Sequence, residues 1–116
     1  MERLINATKC SWRGLLAALR SEAAFRQEAV ALLFAIPAAL FLSSDPWRRV
    51  TLVGAVLFVM IVELLNTAVE KLCNRVTTDE DGQIATVKDL GSAAVGLSIL
   101  LALGLWLVAV GDKLAR

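Results

Sequence analysis

The stretch that decides the fold is AAVGLSILLALGLWLVAV at residues 93–110, eighteen residues without a charged side chain. A run of this length can cross the hydrocarbon core of a bilayer as a helix, which takes roughly 17–25 apolar residues. Two other apolar stretches precede it, AVALLFAIPAALFL at 29–42 and a longer one at 50–72 that a few polar residues interrupt. The sequence therefore predicts three transmembrane helices, at about residues 29–46, 49–72 and 90–111.

The composition of the whole chain also indicates a membrane protein. Of its 116 residues, 58% are hydrophobic, against roughly 45–50% in soluble domains, and so short a chain cannot bury that much apolar surface. The 12 basic and 11 acidic residues give a net charge of +1, which argues against a nucleic-acid partner bound through bulk charge. The absence of histidine excludes His-ligated metal sites and Ser-His or Cys-His catalytic pairs. We expect a single membrane domain over residues 1–116.

The first 26 residues have the pattern of an amphipathic helix. On a helical wheel their apolar residues fall within an arc of about 120°, and charged residues crowd the opposite side. A basic amphipathic helix with Trp and Leu on its apolar face lies in the plane of a membrane interface, so we expect a surface helix at residues 1–26. Glu22 would fall in the middle of the apolar face if this helix ran on unbroken. Either the helix breaks near Ser21, or the Glu22 carboxylate turns inward.

Basic residues near the predicted spans indicate the orientation in the membrane. Eight of them lie before the first span or around the loop between the second and third spans, and four lie in the first loop or the C-terminal tail. Loops rich in Lys and Arg stay in the cytoplasm. We therefore expect the N-terminus and the second loop on the cytoplasmic side.

Three polar residues within the second predicted span are the strongest candidates for a functional site. Glu63, Asn66 and Glu70 have the spacing i, i+3 and i+7, which places them on one face of a helix. A charged residue in a membrane helix costs at least about 2.5–3.5 kcal/mol on insertion scales and is a functional candidate by default. Two carboxylates and an amide can bind a hard divalent cation and accept a proton. The alternative is a structural clamp, in which the acids pair with basic residues of a neighbouring helix.

The second predicted loop, TTDEDGQIATVKDLGS at residues 77–92, contains an acidic run followed by Lys88 and Asp89. Acidic runs are usual in solvated turns, whereas a lysine at the start of the third span can reach a phosphate group. A P-loop is excluded, because Leu97 stands where the spacing of Gly91 and Gly96 would require the lysine. The small residues at 91–96 instead suit close helix packing.

Three segments together resemble the bacterial integral-membrane diacylglycerol kinases. They are SWRGLLAALRSEAAFRQE at residues 11–28, VMIVELLNTAVEKLCNRV at 59–76 and KDLGSAAV at 88–95, and the resemblance covers nearly the whole chain. It implies a homotrimer of small subunits in the bacterial inner membrane, each with a surface helix and three transmembrane helices. It also implies transfer of the γ-phosphate of MgATP to diacylglycerol, which yields phosphatidic acid.

The same resemblance implies roles for individual residues. Glu63 would be the general base, Glu22 and Glu70 would hold Mg²⁺, and Asn66 would support the site. Nucleotide contacts are implied for Arg3, Cys10, Glu22, Glu70, Asp79, Glu80, Asp81, Lys88 and Asp89. Contacts to the lipid acceptor are implied for Arg3, Ala24, Phe25, Arg26, Gln27, Glu28, Arg49, Glu63 and Ser92.

Two other functions remain open from the sequence. An undecaprenol kinase would share the fold and the mechanism, although the segment AAFRQE at 23–28 and the full-length surface helix favour the diacylglycerol enzyme. A non-enzymatic membrane protein, whose carboxylates only lock helices or carry protons, leaves the pattern of Glu22, Lys88 and Asp89 unexplained.

Overall fold

The computed structural model describes residues 1–77 and 79–116, and these residues form four α-helices. The helices are α1 (Glu2–Ser21), α2 (Ala23–Leu42), α3 (Pro46–Val76) and α4 (Gly82–Ala115). Because α2, α3 and α4 are each long and apolar enough to cross a membrane, the expected all-α architecture of an N-terminal helix and three spanning helices is confirmed. The helix ends differ from the expected ranges. The first helix ends at Ser21 rather than 26, α3 continues beyond 72, and α4 begins well before 90.

A single extended residue, Glu22, separates α1 from α2. Its backbone torsions are φ −115° and ψ 110°, and it caps both helices. Nη1 of Arg26 donates to the carbonyl oxygens of Leu19 and Arg20, both at 3.0 Å, which gives partners to acceptors that the end of a helix leaves unsatisfied. The helix therefore breaks where the sequence left two alternatives open, and Glu22 stays half-buried at the break.

The break is held against the rest of the bundle by a small apolar cluster. Phe25, three residues after Glu22, is 1% exposed and packs with Ala18 of α1 and Met60 of α3. Burying an aromatic side chain is worth about 1.5–3 kcal/mol. This cluster therefore fixes the C-terminal end of α1 beside the middle of α3.

A short turn joins α2 to α3. Asp45 caps α3 by accepting from the backbone N–H of Trp47 at 3.3 Å, and Pro46 occupies the first helical position, where a missing N–H breaks no hydrogen bond. Nε of Arg49 donates to the carbonyl oxygen of Ser43 at 2.5 Å and closes the C-terminal end of α2. These contacts reverse the chain within three residues.

α3 and α4 form an antiparallel pair. Nε1 of Trp106 donates to the carbonyl oxygen of Leu52 at 3.0 Å, and Nη1 of Arg48 donates to Oδ2 of Asp112 at 2.7 Å. At the opposite end, Asp81 caps α4 by accepting from two backbone N–H groups of its first turn. The pairing brings the polar part of α3 beside the first turns of α4.

Large apolar side chains cover the outside of the helices. Phe34 is 71% exposed, Leu107 69% and Val108 73%. A continuous apolar surface is unfavourable in water but is matched by lipid or by another protein surface. The exposure pattern agrees with the membrane protein that the composition predicts.

Candidate active site

The polar face of α3 is the centre of the candidate site. Glu63, Asn66 and Glu70 lie on one face of this helix, as their spacing predicts, and both carboxylates are half-buried. Nδ2 of Asn66 donates to Oε1 of Glu70 at 3.1 Å. Because Asn66 is only 9% exposed, this hydrogen bond orients the Glu70 carboxylate from inside the bundle.

The N-terminal part of α4 approaches this face closely at Gly91. A side chain beginning at Gly91 would collide with the amide oxygen of Asn66 and would lie 3.2 Å from its amide carbon. Within the described residues, that amide oxygen is buried and has no hydrogen-bond partner. The close approach of α4 at Gly91 therefore covers this oxygen, and a buried polar atom without a partner costs about 1–3 kcal/mol.

Carboxylates from outside α3 gather around the same face. The charges of Glu70 and Glu22 act on Glu63, and the charge of Glu63 acts on Glu28. Oε1 of Glu28 is buried and lacks a hydrogen-bond partner in the described part of the chain. Glu63 is therefore close enough to three other carboxylates to feel their charges, and such a cluster favours the binding of a cation.

The donor atoms fit a hard divalent cation that is only partly coordinated by protein. Carboxylate and amide oxygens are the ligands that such ions prefer. In residues 1–77 and 79–116, no three Cys, Asp or Glu residues are arranged as a complete metal site. A small divalent ion is commonly held by one or two carboxylates together with substrate phosphates. The carboxylates here fit that mode of binding.

The basic candidate Lys88 lies at the edge of this face. It is half-buried in the second turn of α4, and its Nζ donates to Oδ1 of Asn74 on α3 at 2.8 Å. The neighbouring Asp89 is exposed. The expected loop around these two residues is wrong, because helix α4 already begins at Gly82.

The other residues expected to contact nucleotide lie on exposed surfaces. Arg3 and Cys10 are exposed on α1, and Nη2 of Arg13 donates to Sγ of Cys10 at 3.3 Å. Three acidic residues occupy the connection between α3 and α4, all of them exposed: Asp79, Glu80 and Asp81. Asp81 also has a structural role, since its Oδ1 caps α4.

The residues expected to contact the lipid acceptor are spread more widely. Ala24, Gln27 and Ser92 are exposed, whereas Phe25 is buried in the apolar cluster and Arg26 closes the end of α1. Arg49 lies fourteen residues before Glu63 on α3, which is about 21 Å along the helix axis. Arg49 and Glu63 can therefore contact one acceptor only if it is long, as a lipid is.

An apolar groove runs between α1 and α3 next to this site. Its volume is about 530 Å³, and it is lined by residues that include Gly14 and Ala18 of α1 and Leu64 and Lys71 of α3. The groove is open along one side. Its size and lining suit an acyl chain.

The chain as a whole matches a known protein family. The family model described as Prokaryotic diacylglycerol kinase matches residues 9–110. This chain belongs to that family. Membership makes the chain an enzyme, a kinase, and the non-enzymatic alternative is excluded.

Individual prokaryotic diacylglycerol kinases are similar over most of the chain. The diacylglycerol kinase of Escherichia coli strain K12 is 44% identical over 106 residues, which make up 91% of this chain and 87% of that protein. That of Pseudomonas aeruginosa is 39% identical over 102 residues, or 86% and 83% of the two chains. That of Haemophilus influenzae is 36% identical over 106 residues, or 91% and 90%.

Sequence reasoning missed two features of this diacylglycerol kinase family member. The groove was missed, although Gly14 and Ala18 have the i, i+4 spacing of small residues that allow close helix approach. The contact of Asn74 with Lys88 was also missed. A single asparagine near the end of a helix carries no periodic signal, so only the three-dimensional structure reveals its partner.

Proposed function

We propose that this chain uses MgATP to phosphorylate diacylglycerol at the cytoplasmic face of the bacterial inner membrane, which yields phosphatidic acid. One observation carries the proposal: a family member holds Glu63 and the Asn66-bound Glu70 on one face of a helix that can span a membrane. Carboxylates within a membrane-spanning helix are energetically costly. A reaction that joins a membrane alcohol to a cytoplasmic phosphate donor explains their presence.

The proposed chemistry is a direct transfer. The hydroxyl oxygen of diacylglycerol attacks the γ-phosphorus of ATP, and the bond to the oxygen of the leaving ADP breaks in line with the new bond. Glu63 takes the hydroxyl proton as general base. Phosphoryl transfer depends mainly on positioning and on neutralising charge, so the half-buried carboxylate needs to be only a modest base.

Glu22 and Glu70 are the proposed ligands of Mg²⁺. When bound, this ion neutralises negative charge on the phosphates of ATP. Glu70 is oriented for this role by the hydrogen bond from Asn66. Glu22 lies at the break between α1 and α2, where its backbone caps both helices.

The two substrates approach from different sides. Lys88 supplies a positive charge for the phosphates, and the remaining nucleotide contacts come from exposed residues: Arg3, Cys10, Asp79, Glu80, Asp81 and Asp89. The acceptor contacts Glu28 and Ser92 near the base, and its acyl chain lies in the groove between α1 and α3. The lipid thereby reaches Glu63 from the bilayer.

A homotrimer is the proposed assembly. A single bundle of three spanning helices is too small to enclose both a nucleotide and a lipid. Large apolar side chains such as Phe34 and Leu107 remain exposed on the isolated chain. We propose that neighbouring subunits cover part of this surface and complete each site at their interface.

A direct assay tests the proposed activity. The purified protein in lipid vesicles is given radiolabelled ATP, Mg²⁺ and either diacylglycerol or undecaprenol. We expect labelled phosphatidic acid that disappears on chelation of the metal and in Glu63→Gln. Preferential labelling of undecaprenol would show that undecaprenol, and not diacylglycerol, is the acceptor. Labelling of neither lipid would overturn the proposal.

A further inference from the structure

A second groove lies at the end of the bundle away from the candidate active site. It runs between the N-terminal part of α3 and the C-terminal part of α4, and its volume is about 440 Å³. Arg48, which lines it, precedes Glu70 by 22 residues on α3, or about 33 Å along the helix axis. The groove is therefore separate from the site proposed for MgATP.

The lining of this groove divides into a charged part and an apolar part. The charged part comes from the first turn of α3 with its cap and from the last turn of α4: Asp45, Arg48 and Asp112. The apolar part lies one to two turns further along both helices: Leu52, Leu105, Val108 and Ala109. The groove thus has a charged end and an apolar length, as a binding site for a phospholipid requires.

Trp47 indicates the depth of the groove in the membrane. It lines the groove at the charged end and is 80% exposed. Exposed tryptophans at the ends of spanning helices lie at the level of the lipid headgroups. The charged end of the groove therefore faces headgroups, and the apolar part, where Val108 is 73% exposed, faces acyl chains.

One carboxylate orients the guanidinium group at this end. Oδ2 of Asp112 accepts from Nη1 of Arg48 at 2.7 Å and from Nη2 of Arg116 at 2.9 Å. A guanidinium has five N–H donors, so Arg48 keeps donors for a phosphate group. Both bonds use the same oxygen, and the hydrogen bonds of the described residues leave Oδ1 of Asp112 free.

A second carboxylate lies on the other side of Arg48 in the sequence. Oδ1 of Asp45 accepts from the backbone N–H of Trp47 at 3.3 Å, and among the described residues its Oδ2 has no such partner. Two carboxylates with a free oxygen therefore flank one guanidinium. A headgroup that carries only a phosphate is repelled by the carboxylates, whereas a headgroup with both a phosphate and a cation complements all three charges.

We propose that this groove binds a zwitterionic phospholipid whose headgroup ends in a primary ammonium group. Arg48 binds the phosphate, Asp45 and Asp112 accept from the ammonium, and one acyl chain lies against Leu105 and Val108. A primary ammonium has three N–H donors, whereas a trimethylammonium group has none and cannot donate to the carboxylates. The lipid belongs to the leaflet opposite to the one that meets MgATP.

Fluorescence quenching by brominated lipids tests the headgroup preference. The full-length protein is placed in phosphatidylcholine vesicles that contain an equal, minor fraction of brominated phosphatidylethanolamine, phosphatidylcholine or phosphatidylglycerol. The chain has three tryptophans, so the quenching that Trp47→Phe removes is assigned to Trp47. We expect phosphatidylethanolamine to quench Trp47 about threefold more effectively than the other two lipids, as for one exposed charge pair.

Asp45→Asn removes the proposed ammonium partner and keeps the start of α3, because asparagine caps a helix as well as aspartate does. We expect this variant to quench equally with phosphatidylethanolamine and phosphatidylcholine. Arg48→Gln should also lose the preference, because the phosphate then has no charged partner. Glu2→Gln is the matched control, since it removes an exposed carboxylate from the first turn of α1 and should leave the preference unchanged.

The measurement needs neither nucleotide nor turnover, so its outcome does not depend on the proposed reaction. Equal quenching by the three lipids overturns the inference, and so does a preference that persists in Asp45→Asn. Strongest quenching by phosphatidylglycerol means that the groove selects anionic lipids instead. Absence of quenching by every lipid means that a second copy of the chain covers the groove. Both of these outcomes also refute the proposed occupant.

Discussion

The amide oxygen of Asn66 occupies the space in which a side chain at Gly91 would begin. This contact brings α4 against the polar face of α3 and sets the height of Lys88 relative to Glu70. The same asparagine donates to Glu70, so a displacement of Asn66 disturbs the carboxylate as well. The spacing of two helices and the orientation of a proposed metal ligand therefore depend on one side chain.

Gly91→Ala is expected to damage both stability and activity. The added methyl group collides with Asn66, and such overpacking costs about 1–3 kcal/mol. Thermal unfolding in detergent and MgATP-dependent turnover measure the two effects.

Gly96→Ala is the matched control for that variant. It lies on the same helix, but a Cβ there meets nothing within 4 Å among the described residues, and alanine is the better helix former by up to about 1 kcal/mol. Unfolding temperatures that fall equally in the two variants would contradict the role given to the Asn66 contact.

Glu70→Gln should reduce turnover by more than about a hundredfold. This loss exceeds the usual effect of changing a residue that only hydrogen-bonds to a metal ligand. Removing the negative charge weakens the binding of a divalent cation and hence of MgATP. The variant should still insert into the membrane and assemble, which size-exclusion chromatography checks. Near-normal activity would remove Glu70 from the proposed metal site. Aspartate is one methylene shorter than glutamate, so we expect Glu70→Asp to retain activity only if the backbone shifts by about 1 Å.

Glu63→Gln should strongly reduce turnover while leaving MgATP affinity within a few-fold of its normal value. Glu63 lies seven residues from Glu70 on the same face, about 10 Å along the helix, so the base and the metal ligand are separate. Loss of a general base lowers the rate about 10²–10⁴-fold. Both variants are compared by the kinase assay and by direct nucleotide binding. If Glu63→Gln loses MgATP as severely as Glu70→Gln, the proposed division of roles is wrong.

The proposed orientation is tested with the two cysteines. Cys10 is exposed on α1, whereas Cys73 is buried, so a thiol reagent should react mainly with Cys10. A membrane-impermeant reagent outside right-side-out vesicles should label neither cysteine until the membrane is opened. Cys73→Ala keeps only the informative thiol. Labelling of this variant in sealed vesicles would show that the orientation in the membrane is the reverse of the proposed one.

The sequence predicted the architecture well because its main signals are local. Uncharged runs define spans, and the i, i+3, i+7 spacing of Glu63, Asn66 and Glu70 defines a face. The helix ends were harder to predict, because polar residues near Val76 end the hydropathy signal without ending the helix. Helix α4 begins before the apolar run because Asp81 caps its first turn, and aspartate is a residue type that the sequence shows to be suited to this position.

The candidate site was predictable only where residues share a helix. The contact between Asn74 and Lys88 joins two helices across a connection, and the approach of Gly91 to Asn66 depends on how α3 and α4 pack. The bonds from Arg26 and Arg49 to nearby carbonyl groups depend on where helices end. The contacts between helices are fixed by tertiary geometry, and the contacts at helix ends depend on exact helix boundaries, so neither kind leaves a clear pattern in one sequence.

The one-residue break at Glu22 also limits how the length of this chain can vary. One residue added within α1 or α2 near the break would rotate one helix against the other by about 100°, turning either the apolar face of α1 or the Glu22 carboxylate away from its present neighbours. The exposed residues 79–81 lie between α3 and α4, so a change in length there does not directly rotate one helix against the other. A change in length should therefore disturb the packing of the helices less at residues 79–80 than at 21–23.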